Sequence, residues 1–150
     1  MTELLNKAFD ELTTVELFEI YRARTDVFVV EQNCAYPEVD ADDLVAKHLW
    51  FAGEDGHVRA YCRLYPAAQA GHWHIGRVLV NERDRKQGLA RKLLQAALNW
   101  LQQQSEIDVI DIAAQTYLTR FYASFGFQAI GEPFDDFGVM HQNMTLTFVK

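Results

Sequence analysis

The run Arg85-Lys86-Gln87-Gly88-Leu89-Ala90 combines properties that suit an anion. It follows an apolar stretch, HWHIGRVLV, that ends at Val80, and it opens an amphipathic segment. A helix N-terminus leaves its first amides without intrahelical acceptors and carries partial positive charge. A phosphate seated there accepts several of those N–H groups, provided the backbone can come close. Gly88 and Ala90 permit close approach, and Arg85 and Lys86 add charge. Read as a site, the turn is a pyrophosphate cradle. Read as plain structure, R-x-x-G-x-A is a helix start with solvated charges, and the pattern alone fits both. Two other cradles are excluded, because the chain has neither GxxxxGK[ST] nor a GxGxxG after the strand.

The elements that must position this turn follow from pattern. Thr13-Thr14-Val15-Glu16 is a capping box, with Thr13 as N-cap. Leu17, Ile20, Tyr21, Val27 and Phe28 then fit one helix face running into VFVVEQ. Residues 33–43 read as loop, with Pro37 and four acids, Glu38, Asp40, Asp42 and Asp43. HLWFAGE and HVRAYCRLYP form a hairpin across Glu54-Asp55-Gly56, and HWHIGRVLV is a third strand. From Gly88 to Gln104, Leu89, Leu93, Leu94, Ala97, Trp100 and Leu101 share a face, opposite Arg91, Lys92, Gln95, Asn99 and Gln102. IDVIDIAAQ is a strand. Leu118, Phe121, Tyr122 and Phe125 mark a short helix stopped at Gly126. FQAIGE and HQNMTLTF close the chain as strands. The fold class is α/β (α+β), a mixed sheet flanked by helices.

The whole chain sets limits. At 150 residues it reads as one domain, residues 1–150. No apolar run approaches the ~18 residues a membrane span needs, and MTELLNKAFDEL has no signal-peptide pattern. The expected partners therefore include no membrane. Cys34 and Cys62 lack CxxC spacing, which fits reduced thiols and a cytoplasmic location. The net charge of −7 argues against a nucleic-acid partner. Yet Arg83, Arg85, Lys86, Arg91 and Lys92 crowd one ten-residue window, five of the fourteen basic residues. His72 and His74 share a strand face, but no third ligand follows at metal spacing, so no metal is expected.

A second signal lies downstream in YLTRFYASFGF. Tyr122 by itself reads as a core aromatic whose hydroxyl finds some partner. Together the stretches carry more. Val80, Arg85, Gly88 and Ala90 form V-x-x-x-x-R-x-x-G-x-A. After a helix and a strand, Phe121, Tyr122, Gly126 and Phe127 form F-Y-x-x-x-G-F. This pattern resembles the GCN5-related N-acetyltransferase (GNAT) superfamily, and the element order matches its fold along nearly the whole chain. The run Arg24-Thr25-Asp26-Val27-Phe28-Val29-Val30-Glu31-Gln32-Asn33-Cys34 resembles the ElaA-type branch. Tyr36, Asp40, Asp42, Asp43 and Ile75-Gly76-Arg77-Val78 add to that likeness.

The resemblance implies a substrate and roles. In the family the cradle binds acetyl-CoA. The donors here would be amides from Arg85, Lys86, Gln87, Gly88, Leu89 and Ala90, mainly Lys86, Gly88 and Ala90. Ala90 stands where glycine is frequent. The strand before the cradle splays from its neighbour in that fold, freeing backbone groups around Val78, Leu79 and Val80 for the pantetheine arm, as an added strand would pair. A backbone N–H near Leu79 or Val80 would meet the developing oxyanion. Tyr122 stands where the family carries the general acid for the leaving thiolate. Its ordinary pKa of about 10 keeps it protonated at neutral pH. The base is not fixed by the motif. His74, Glu31 and His141 are candidates, each with an ordinary structural explanation, and solvent could also take the proton. The acidic loop reads either as solvated or as a border of the acceptor entrance that steers a cationic amine.

The expected activity is acetyl transfer to a primary amine by direct attack on the thioester, the acceptor being a small molecule or a protein amine. The alternatives are a non-catalytic CoA-binding sensor and an interaction module in which the basic turn is decoration. A homodimer is compatible with the family, but no patch in the sequence reads as an interface.

Overall fold

The computed structural model describes residues 2–149. Among these residues a mixed seven-stranded sheet runs in the order β1-β2-β3-β4-β5-β7-β6. The chain enters with β1 (Glu3–Ala8), which pairs antiparallel with β2 (Lys47–Ala52). This strand was not legible in ELLNKA, where Leu4 is exposed and no alternation marks a buried face. The sequence-based order began with helix α1 (Thr14–Arg24). Its capping box is present: Thr13 Oγ1 accepts from the Glu16 amide at 3.1 Å, and the Thr13 amide donates to Glu16 Oε1 at 2.9 Å.

The helix does not continue into VFVVEQ as an α-helix. From Thr25 to Glu31 it widens to a π-helix, ending at Gln32 and burying Val27 and Phe28. The acidic loop that follows contains a one-turn helix, α2 (Asp42–Val45). The hairpin of β2 with β3 (Val58–Pro66) turns at the expected place, with Gly56 at φ +84°. Antiparallel to β3 lies β4 (His72–Val80), followed by α3 (Leu89–Gln103) and β5 (Val109–Gln115). The short helix α4 (Thr119–Ala123) leads to the hairpin of β6 (Gln128–Asp136) and β7 (Val139–Thr147).

Two apolar layers hold the sheet. On one face α3 buries Leu89, Leu93, Leu94, Ala97, Leu98 and Leu101 against Leu64, Ile75, Ile110 and Ile112. On the other, Ile20, Ala23, Val27 and Phe28 meet Trp50, Tyr61 and Leu79. Among the described residues no helix is long and apolar enough to cross a membrane.

The sheet opens in the middle. Strands β4 and β5 run parallel and pair only at His72–Val109, Trp73–Ile110 and His74–Asp111. Beyond that point β4 continues to Val80 and β5 to Gln115 without pairing to each other. On its far edge β5 stays paired to β7 along its whole length, so it cannot follow β4. On its near side β4 stays paired to β3, apart from a bulge. Gly76 faces Arg63 and Leu79 faces Tyr61, so Arg77 and Val78 share the single opposite residue Cys62. Arg77 adopts φ +52°, a conformation strained for a side chain of this size.

Candidate active site

The splay creates a cleft of about 920 Å³, within the range of small-molecule sites. Its walls are the free edges of β4 and β5. Its ends are the cradle turn and the β6–β7 hairpin tip. Every candidate site residue except Gln87 lines it: Glu31, His74, Val78, Leu79, Val80, Arg85, Lys86, Gly88, Leu89, Ala90, Tyr122 and His141.

At the cradle, Gly88 is the N-cap of α3 at φ +74°, and the space where a Cβ would sit is open to 4 Å. The first helical bond is Lys92 N–H to Gly88 O at 3.2 Å. The amides of Leu89, Ala90 and Arg91 therefore have no partner in the helix. Lys86 also adopts a left-handed φ, +65°. The crowd of cations is partly neutralised. Arg85 gives both terminal nitrogens to Glu31, at 2.6 and 2.7 Å, and its Nε to Val80 O at 3.0 Å. Arg83 pairs with Asp55. Arg91 lies over the Phe121 and Phe125 rings. Lys86 makes no ion pair among the described residues and remains free to meet an anion. Gln87 is not among the residues that line the cleft, and its side-chain oxygen accepts from Arg59 Nη2 at 2.8 Å.

Along β4 the expected edge narrows. The Asn81 amide donates to Arg59 O at 2.8 Å. Strand alternation then turns the backbone groups of Leu79 towards Tyr61 of β3 and those of Val80 towards the open side. Leu79 is thus a paired residue rather than a freed one. Arg85 already occupies the Val80 carbonyl, so Val80 offers its N–H.

The candidate bases separate. Glu31 is held by the Arg85 guanidinium, whose hydrogen bonds keep its carboxyl below the ordinary range. A carboxylate stabilised in this way is a poor proton acceptor, so Glu31 is a strap between the π-helix and the cradle. His74 Nδ1 lies 3.2 Å from Asp111 O and His141 Nδ1 2.8 Å from Val139 O. A carbonyl only accepts, so Nδ1 of each ring donates, and in the neutral imidazole Nε2 is then the nitrogen with the lone pair. Both rings line the cleft. His72, which shares a face with His74, is taken by the Asp111 carboxylate at 2.7 Å.

Tyr122 sits on α4, buried, edge-on to Phe121 and Phe127. Its hydroxyl has no hydrogen-bond partner among the described residues. Burial, with smaller contributions from Cys62 and Tyr117, raises its pKa above the ordinary value. The hydroxyl is therefore a proton holder throughout the neutral range.

The acidic loop differs most from expectation. Glu38 and Asp43 are buried, and the cations that meet them, Arg24 and Arg63, are buried too. Arg24 donates to Glu38 Oε1 at 2.5 Å and to both Asp43 oxygens at 2.6 and 3.1 Å. Arg63 reaches Asp43 at 3.0 Å and Asp40 at 2.7 Å. Arg77 Nε lies 2.9 Å from Glu38 Oε2, an ion-pair distance without hydrogen-bond alignment, and its Nη2 donates to Glu38 O at 3.1 Å. The Tyr36 hydroxyl donates to Glu38 Oε2 at 2.7 Å, and the Tyr36 ring lies beneath the Arg77 guanidinium. Glu38, Asp40 and Asp43 are thus neutralised by arginines, and only Asp42 is left as a solvated acid. The network fixes Arg77 at its bulge, where Arg77 and Tyr36 line the cleft. Sequence reasoning missed Arg24, Arg63 and Arg77 as partners because no local spacing joins them to the loop.

Comparison with known proteins agrees with this geometry. The family model for the acetyltransferase (GNAT) domain matches residues 25–148. A UPF0039 protein of Schizosaccharomyces pombe is 41% identical over 145 residues, 96% of each chain. Among solved structures, an acyl-CoA N-acyltransferase from Pseudomonas aeruginosa superposes with a TM-score of 0.90 at 34% identity, covering 97% of this chain and 99% of that one. Escherichia coli ElaA superposes with a TM-score of 0.89 at 31% identity, covering 97% and 99%. A splayed sheet, a glycine-capped helix beside it and relatives alike along nearly their full lengths lead to one assignment: the chain belongs to the GNAT superfamily of acyltransferases, in its ElaA-type branch.

Proposed function

We propose that the protein is an acetyl-CoA-dependent N-acetyltransferase acting on a primary amine, either a small molecule or a protein lysine or N-terminus. The observation that carries this reading is the junction of three features in one cleft. The β4 edge is unpaired towards β5 beyond His74, α3 starts at a left-handed Gly88, and Tyr122, whose hydroxyl has no hydrogen-bond partner among the described residues, lines the same cleft.

The residues present suit an acyl-CoA. The open space at Gly88 admits a diphosphate to the amides of Gly88, Leu89 and Ala90, with Lys86 adding charge. The free β4 edge around Val78 suits an extended amide-bearing arm. Bound there, acyl-CoA supplies a thioester carbon that an amine can attack. The chain's own residues then handle protons and charge. An ammonium must first lose a proton, and Nε2 of His74 or His141 can take it, directly or through water. The Val80 N–H can receive the negative charge that develops on the carbonyl oxygen. Tyr122 holds a proton for the departing sulfur. Because its pKa is raised, it acts by hydrogen-bond donation to the thiolate more than as a strong acid.

Incubating the protein with acetyl-CoA and a panel of primary amines, with free thiol as the readout, tests the reading. We expect thiol release that depends on the amine and yields a stable acetamide. Thiol release that is indifferent to every amine and amine-bearing peptide tried would leave a CoA-binding protein without this activity.

A further inference from the structure

A cluster outside the cleft bears on how the cradle keeps its shape. Lys86 is held at φ +65° without the excuse of being glycine. Such a conformation persists where its surroundings over-determine it. The residues on both sides of the Arg85–Lys86 pair are anchored to the β2–β3 hairpin. Asp84, nearly buried, accepts from Arg59 Nε at 2.9 Å through one oxygen, and its other oxygen lies 2.9 Å from His57 Nε2. Arg59 then reaches past Arg85 and Lys86 to Gln87 Oε1 at 2.8 Å. Asp55 meets the other ring nitrogen of His57, Nδ1, through one oxygen, and its second oxygen accepts from Arg83 Nη2 at 3.1 Å. Asn81 donates to Val58 O through its side chain at 3.3 Å. Gly53 leaves room for this arrangement, since a Cβ there would lie 2.4 Å from the His57 ring. Burial alone would raise the Asp84 carboxyl, but the hydrogen bonds from Arg59 and His57 outweigh it and hold it below the ordinary range.

The geometry points to His57, Arg59 and Asp84 as positioning residues for the phosphate cradle: a brace that fixes the strained Lys86 turn in the shape that receives the diphosphate. The inference rests on the reading of that turn as an acyl-CoA site. None of the three residues lines the cleft, so each acts through Arg85 to Gly88 rather than on the ligand.

The test compares CoA with S-acetylpantetheine, which lacks the diphosphate together with the 3′-phosphoadenosine attached to it in CoA. Asp84→Asn keeps the side chain's volume and removes its charge, while Arg59→Met keeps the stem and removes the fork. In each variant we expect the CoA Kd, measured by calorimetry, to rise about ten-fold, since small displacements of a positioning group are felt at that scale. Acetylpantetheine turnover should stay within about two-fold in the same variants. Gln87→Ala, on the surface, should fold normally and raise the CoA Kd by a smaller factor. An unchanged CoA Kd in all three variants would overturn the brace, as would equal losses with both ligands, which would mean general loosening. If the unaltered protein binds CoA no more tightly than acetylpantetheine, the cradle reading fails and the brace with it.

Discussion

Tyr122→Phe is expected to lower the turnover number about 10²–10³-fold while leaving the CoA Kd within about two-fold. The substitution removes one oxygen and keeps the ring that packs against Phe121 and Phe127. The fold should therefore survive, and the loss should appear in turnover rather than in binding. The pH profile adds a second check. Burial raises the Tyr122 pKa, so its hydroxyl remains protonated above the range in which an exposed tyrosine would ionise. The rate should climb as the acceptor amine loses its proton and should show no fall near pH 10 from loss of the Tyr122 proton. A Phe variant with undiminished turnover would remove Tyr122 from the chemistry.

The other large effect concerns stability. Asp43→Asn should destabilise the fold by about 3 kcal/mol, because it removes the carboxylate that two buried guanidinium groups share and leaves Arg24 with Glu38 and Arg63 with Asp40 alone. In a chain of this size that is roughly 10 °C in Tm. The pH dependence has a definite sign. Burial alone would raise the Asp43 carboxyl, but hydrogen bonds and charge from Arg24 and Arg63 prevail and hold it below the ordinary range. A carboxyl depressed in the folded state stabilises the fold above its unfolded pKa of about 3.9. That stabilisation fades as pH falls through the folded value. Urea unfolding across this range should therefore be steeper in pH for the unaltered protein than for Asp43→Asn. Matching slopes and a Tm change below about 2 °C would mean that the charges contribute nothing.

What the sequence disclosed and what it withheld divide along chain distance. The Thr13 capping box, the β2–β3 hairpin, the amphipathic α3 and the Gly88 turn are local patterns, and each stands where its residues suggested. The two spaced motifs around Gly88 and Tyr122 were enough for the superfamily and for the cleft. Contacts between distant residues were not legible. No local spacing pairs Arg24, Arg63 or Arg77 with Glu38, Asp40 and Asp43, and only the fold brings them together. Glu31 looked like a free carboxylate near a helix end until Arg85 came within reach of both its oxygens. The π-helical widening after Arg24 has no spacing signal, because its apolar residues also fit an α-helix. Leu79 and Val80 are equivalent in sequence, and only the Asn81–Arg59 hydrogen bond tells which of them faces β3. Nothing in the sequence joins the Gln87 side chain to Arg59, which holds it in the fold.

The central claim is that the free β4 edge and the Gly88 helix start together receive an acyl-CoA. A crystal structure of the protein grown with CoA tests it most directly. The account predicts the diphosphate within hydrogen-bonding distance of the Gly88 to Ala90 amides, with the pantetheine arm lying along β4 and its sulfur near the Tyr122 hydroxyl. Coenzyme bound elsewhere, with that helix end bare, would contradict it.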